Sequence, residues 1–132
     1  MKPIFVRDAK SNDDIRNCSE WAARIAKINL LDTGVFSYPA TRVLCAYQHG
    51  GEPQLYMPVQ SVYMLDALAP RPGSEGIIEA QALKALVADL VSTAHRTGVG
   101  EIYFPCRDER VIKFGEHNGF ERFDYPMLRM KV

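Results

Sequence analysis

The sequence has few cysteines, no excess of charge of either sign and only one tryptophan, and these shortages narrow the class of protein it encodes. Sixteen Lys and Arg side chains balance sixteen Asp and Glu side chains, so no overall field attracts a polyanion and no nucleic-acid partner is expected. Cys18, Cys45 and Cys106 are odd in number, widely spaced and set in apolar stretches. That pattern indicates reduced, buried thiols and neither a disulfide framework nor a metal site.

Long apolar runs are also missing. No stretch approaches the length of a membrane span, and the N-terminus reaches Arg7 and Asp8 too early to form the apolar part of a signal peptide. We therefore expect a cytoplasmic protein with no membrane partner. What remains is a globular composition, 47% apolar and 24% charged over 132 residues, which predicts a single domain over residues 1–132.

The spacing of apolar residues alternates between strand and helix periods along the chain. The predicted order is β-α-β-β-β-α-β-α-β. Strands are predicted at 4–6, 41–47, 54–60, 62–69 and 101–106, helices at 11–34, from 77 or 79 to 97, and at 109–118, and a final extended segment at 122–132.

Turn and cap residues fix several of these boundaries. Ser11 and Asp14 have the spacing of a capping box, and Gly98 follows a last helical turn that carries two basic residues. The pair Gly50 and Gly51 supplies the positive φ angles that a tight hairpin needs. Pro58 has no N–H to donate, so its strand is predicted to lie at a sheet edge or to break there.

This order resembles the GNAT superfamily of N-acetyltransferases over nearly the whole chain, and two motifs strengthen the resemblance. Residues 116–120, Glu-His-Asn-Gly-Phe, are similar to the family's Glu-x-x-Gly-Phe, in which the glycine ends the last helix and the phenylalanine starts the final strand. Residues 85–99 resemble the family's long helix with its Arg-x-Gly-Val ending. The fold implied is an α/β (α+β) acyl-CoA N-acyltransferase-like domain, with a mixed central sheet flanked by helices.

The resemblance implies transfer of an acetyl group from acetyl-CoA to a primary amine of a small molecule or peptide. The cofactor would lie between the central strand and the strand after the long helix. Asp66 interrupts the apolar central strand, where burial would make its carboxylate a stronger base, and is the candidate catalytic residue. The implied cofactor-binding residues are Leu68, Ala69, Arg71, Gly73, Ser74, Gly76 and Asp108.

The family's pyrophosphate loop, Gln/Arg-x-x-Gly-x-Gly/Ala, has no unique register in this sequence. Glu75 places a negative charge where phosphates would bind, although Arg71 offers a compensating positive one. The glycine positions fall on Ser74 and Gly76 when counted from Arg71, on Gly76 and Ile78 when counted from Pro70, and on Gln81 and Leu83 when counted back from Gly98.

The family's acid is missing as well, because Gly115 stands where a tyrosine protonates the leaving thiolate. Asp108 replaces the asparagine that often precedes the last helix, a position from which it can still cap that helix. Two hypotheses therefore remain: a divergent acetyltransferase, and a catalytically silent module that binds a ligand or protein. The resemblance to the family also implies a homodimer formed through the C-terminal strands. Five tyrosines are each either a packing residue or a candidate to replace the missing acid: Tyr47, Tyr56, Tyr63, Tyr103 and Tyr125.

Overall fold

The computed structural model describes residues 2–25, 33–123 and 127–132. Within them the chain is a mixed α/β protein with three α-helices, and the predicted order holds from the first strand to the last helix. The described parts of the segment 122–132 contain no strand, so the ninth predicted element is not formed there. The elements are β1 (Ile4–Asp8), α1 (Asn12–Ala23), a 3-10 turn (Thr33–Ser37), β2 (Arg42–Gln48), β3 (Pro53–Val59), β4 (Tyr63–Met64), α2 (Gly76–Thr97), β5 (Ile102–Tyr103) and α3 (Glu109–His117).

The strands form two separate sheets, where the sequence predicted one mixed central sheet. One is antiparallel in the order β1-β2-β3, and the other is the parallel pair β4-β5. The hairpin between β2 and β3 turns at Gly50 and Gly51, whose φ angles are 102° and 89°, as predicted. Pro58 lies on β3, which is an edge strand, so the prediction from its missing N–H is confirmed.

The strands predicted at 62–69 and 101–106 are each reduced to two residues. They pair as Tyr63 with Ile102 and Met64 with Tyr103 and then stop. Pro105 has no N–H with which to continue the ladder, which gives a physical reason for the early end of β5. The residues 66–70 that follow β4 are exposed and form no strand, so the predicted strand at 62–69 and the burial expected for Asp66 are wrong for this part.

Most helix ends lie where the cap residues in the sequence predict them, with the C-terminal end of α1 as the exception. Ser11 caps α1, and its hydroxyl accepts a hydrogen bond from the N–H of Asp14 at 3.2 Å. The helix ends at Ala23, well before the predicted end near 32–34, although residues 26–32 of that prediction lie outside the described part. Gly98, with a φ of 74°, ends α2, and Asp108 caps α3. Gly119 follows α3 with a φ of 96°, the helix-ending role that the Glu-x-x-Gly-Phe motif implies.

The apolar core lies between α1 and one face of the antiparallel sheet. Its buried members are Ala9, Cys18, Val43, Cys45 and Tyr56, with Phe36 and Tyr47 packed against them. Cys18 and Cys45 are buried as predicted, whereas Cys106 is only half-buried, and all three thiols are free. Across the described residues, no helix is both long and apolar enough to cross a bilayer.

Candidate functional site

The parallel pair β4-β5 opens immediately after its second residue pair. The N–H of Leu65 donates to the carbonyl oxygen of Tyr103 at 2.8 Å, and this is the last backbone hydrogen bond between the β4 and β5 segments. Beyond it, residues 66–69 make no hydrogen bond to any part of the chain that the structure describes. Backbone N–H and C=O groups without partners can pair with an extended molecule, as those at the edge of a sheet do. The opening therefore offers a short stretch of unpaired backbone.

The loop from 70 to 75 leads from this opening to the N-terminus of α2. It contains a tight turn in which the N–H of Ser74 donates to the carbonyl oxygen of Arg71 at 3.0 Å, and Gly73 has a φ of 78°. Glu75 is the N-cap residue of α2, yet its side chain makes no capping hydrogen bond. The first-turn N–H groups of α2 therefore remain available to an anion, and the helix dipole favours one.

The charges beside this helix end are of both signs. Arg71 and Glu75 are exposed, and neither forms an ion pair with a described residue. A Cβ built on Gly76 would meet nothing within 4 Å, so the chain itself does not require glycine there. This open space leaves room for a ligand to approach Gly76.

Asp66, Leu68 and Ala69 all lie in the unpaired segment and are exposed. The desolvation expected for Asp66 is therefore absent, because the strand that would have buried it ends at Met64. Its carboxylate instead stands two residues beyond the end of β4. A catalytic role for Asp66 stays a prediction, with an exposed carboxylate in place of a buried one.

Asp108 follows β5 in the chain and is the N-cap residue of α3. One of its carboxylate oxygens accepts a hydrogen bond from the N–H of Arg110 at 3.0 Å, and this bond lowers the pKa of Asp108 below its ordinary value. The predicted capping role is confirmed. A role in binding the cofactor stays a prediction.

Gly115 lies in the last turn of α3 and brings no side chain to the opening. Two of the candidate tyrosines belong to the parallel pair, Tyr63 on β4 and Tyr103 on β5. The hydroxyl of Tyr63 lies 2.9 Å from that of Thr97, and the hydroxyl of Tyr103 donates to Glu101 at 3.4 Å. Tyr47 lies on β2 and Tyr56 on β3, in the antiparallel sheet. Tyr125 is outside the described residues.

A polar cluster that sequence reasoning missed lies between α1 and the antiparallel sheet. The guanidinium of Arg7 donates to both carboxylate oxygens of Asp14, each at 3.1 Å, and the hydroxyls of Ser11 and Tyr56 donate to the same carboxylate at 2.7 and 2.9 Å. Asp14 is only 8% exposed. The hydrogen bonds from Arg7, with smaller help from Ser11 and Tyr56, lower its pKa to about 2.

This cluster is a structural joint and not a proton-transfer site. A carboxylate with so low a pKa stays ionised at any ordinary pH, and its lone pairs are already occupied by donors. The Ser11 and Asp14 spacing was the only sequence signal for it. Arg7 lies on β1 and Tyr56 on β3, and both reach Asp14 only when α1 packs on the sheet.

No protein-family model matches the chain, and no curated protein matches it. Among residues 2–25, 33–123 and 127–132, no group of three or more His, Cys, Asp or Glu side chains comes together in a way that would hold a metal ion.

Proposed function

We propose that this chain is a divergent GNAT-type N-acetyltransferase that moves an acetyl group from acetyl-CoA to a primary amine. The supporting observation is the opening of β4 and β5 after Leu65, which leaves the backbone of 66–69 unpaired and leads directly to an uncapped helix N-terminus at Gly76. The pantetheine arm of acetyl-CoA carries amides that pair with extended backbone, and its pyrophosphate suits a helix N-terminus. Both features lie in the order that one extended cofactor would need.

The proposed reaction assigns a role to Asp66 and to two tyrosines. Asp66 accepts a proton from the acceptor ammonium, and the neutral amine then attacks the thioester carbonyl carbon. The C–S bond breaks as the amide forms, and the thiolate of CoA takes up a proton from an acid. The nitrogen releases its second proton as the amide forms, and this proton restores that acid. Tyr63 on β4 and Tyr103 on β5 are the candidates for delivering the proton to the thiolate in place of the missing tyrosine.

A second candidate function is a silent GNAT-like module that binds a ligand or protein partner without chemistry. Gly115, which has no acid to offer, and Glu75, a negative charge at the N-cap of α2, favour it. The cytoplasmic location and the homodimer belong to both candidates and stay predictions. Light scattering of the purified protein at several concentrations tests the dimer.

The test that separates the two candidates is calorimetric titration with acetyl-CoA. The enzyme proposal expects micromolar binding that Arg71→Glu abolishes, because the reversed charge repels the pyrophosphate at the N-terminus of α2. Arg24→Glu is the matched control, since Arg24 is also exposed and lies at the far end of α1. Equal loss in both variants would show a general charge effect and contradict the assignment of the loop.

Activity is then measured against a panel of amines with wild type and Asp66→Asn. A general base contributes on the order of 10²–10⁴ in rate, so kcat should fall by at least about a hundredfold while acetyl-CoA affinity is kept. Binding without turnover on any amine would support the silent module. No heat with millimolar acetyl-CoA would refute the enzyme proposal.

A further inference from the structure

A cavity lies between α2 and α3. Its volume is about 340 Å³, within the range of roughly 300–1,000 Å³ in which small molecules bind. Its walls are almost wholly apolar. The main contributors are Val87, Val91, Phe104, Val111, Phe114 and Phe120.

Lys84 is the one charged side chain among the described residues that line this cavity. It is exposed on α2 and forms no ion pair with a described residue. The other polar side chain of the lining, that of Asn118, already donates from its amide to the carbonyl oxygen of Phe114 at 2.8 Å. The cavity therefore combines an apolar interior with a single unpaired positive charge.

We propose that this cavity binds a medium-chain carboxylate, with its alkyl chain among the phenylalanine and valine side chains and its carboxylate beside Lys84. An alkyl chain is the ligand that an interior without spare hydrogen-bonding groups accepts at least cost. A carboxylate is favoured over an amine because the cavity's one charge is positive. The cavity is lined by α2, by α3 with the residues after it, and by Phe104, and it includes none of the residues 66–76, so the proposal does not depend on the acetyl-CoA proposal.

The first experiment compares ligands by calorimetry: hexanoate, octanoate and decanoate, with decanol and decylamine as head-group controls. Each buried methylene tightens binding about fourfold, so each step of two methylenes should tighten it about fifteenfold. Decylamine should bind more weakly than decanoate. Equal affinity for hexanoate and decanoate would overturn the assignment of the chain to the cavity.

The head group is tested with Lys84→Gln, which should weaken decanoate binding about two- to fivefold, as for an exposed ion pair, and leave decanol unchanged. Lys113→Gln, an exposed lysine of α3 that does not line the cavity, is the control. If Lys84→Gln weakens decanol as much as decanoate, or weakens neither, the carboxylate assignment is wrong.

The cavity itself is tested with Ala88→Phe, which fills it from an exposed position on α2 and so keeps the risk to folding small. Ala85→Phe is the matched control, an exposed alanine of the same helix that does not line the cavity. Decanoate binding should be lost in the first variant and kept in the second. Binding kept in both would place the ligand elsewhere and refute the proposal.

Discussion

Replacing Asp14 by Asn should destabilise the protein through the loss of ionised hydrogen bonds at the joint between α1 and the sheet. The folded-state pKa of Asp14 is about 2 against an ordinary 3.8, and this difference corresponds to about 2 kcal/mol of stability at neutral pH. Arg7 is left unpaired in the variant, but its side chain is 37% exposed and regains water. We therefore expect a loss of about 2–3 kcal/mol, at or below the lower end of the range for a broken buried pair.

The pH dependence has a definite sign. Because folding lowers the pKa of Asp14, its contribution is complete well above pH 3.8 and is lost as the pH falls through about 2. Near pH 3 about half of it should remain. Urea unfolding at pH 7 and pH 3 should thus show the gap between wild type and Asp14→Asn narrowing by about half.

Asp13→Asn is the control, since Asp13 is the neighbouring carboxylate, with a side chain 80% exposed and an ion pair only to Arg16. It should change stability by less than about 0.5 kcal/mol at both pH values. A gap for Asp14→Asn that is as large at pH 3 as at pH 7 would refute the role given to ionisation.

Two further predictions concern backbone strain and thiol access. Gly98→Ala should cost at least about 1–2 kcal/mol in urea unfolding, because Gly98 has a φ of 74° and a Cβ there would lie 2.9 Å from the Cβ of Pro39. Gly76→Ala is the control and should be neutral or slightly stabilising, since its Cβ meets nothing within 4 Å. Cys106 should react first with a thiol reagent, and the two buried cysteines, whose pKa burial raises, should react only on unfolding, as counted by absorbance under native and denaturing conditions. Fast reaction of all three in the native protein would contradict this burial.

Local signals in the sequence predicted the order of elements and most of their ends. The cap at Ser11, the hairpin glycines, the edge position of Pro58 and the stop at Gly98 are properties of a few neighbouring residues, so the sequence contains them directly. Strand lengths were predicted poorly, because a strand ends where its partner no longer provides backbone groups for hydrogen bonds. An apolar run at 62–69 does not reveal that its partner stops at Tyr103.

The same limit applies to the candidate site. The sequence predicted that Asp66 would lie on the central strand and be buried there, but the short β4 ends before Asp66 and leaves it exposed. The Arg7 and Asp14 pair was not predicted, because its members meet only when α1 packs on the sheet. Contacts across elements depend on packing, and one sequence does not show which surfaces meet.

Helix α2 is held firmly at one end only. At its C-terminal end the carbonyl oxygen of Gly98 accepts from the N–H of Ala40 at 3.1 Å and Ala94 is buried, whereas Ile77 at the other end is 65% exposed. Local unfolding should therefore begin at the N-terminal turn and cost less free energy there than at Ala94. An anion bound at the N-terminal turn would have to order that turn, and this ordering costs free energy. The measured affinity would therefore be weaker than the contacts between the anion and the turn alone would give.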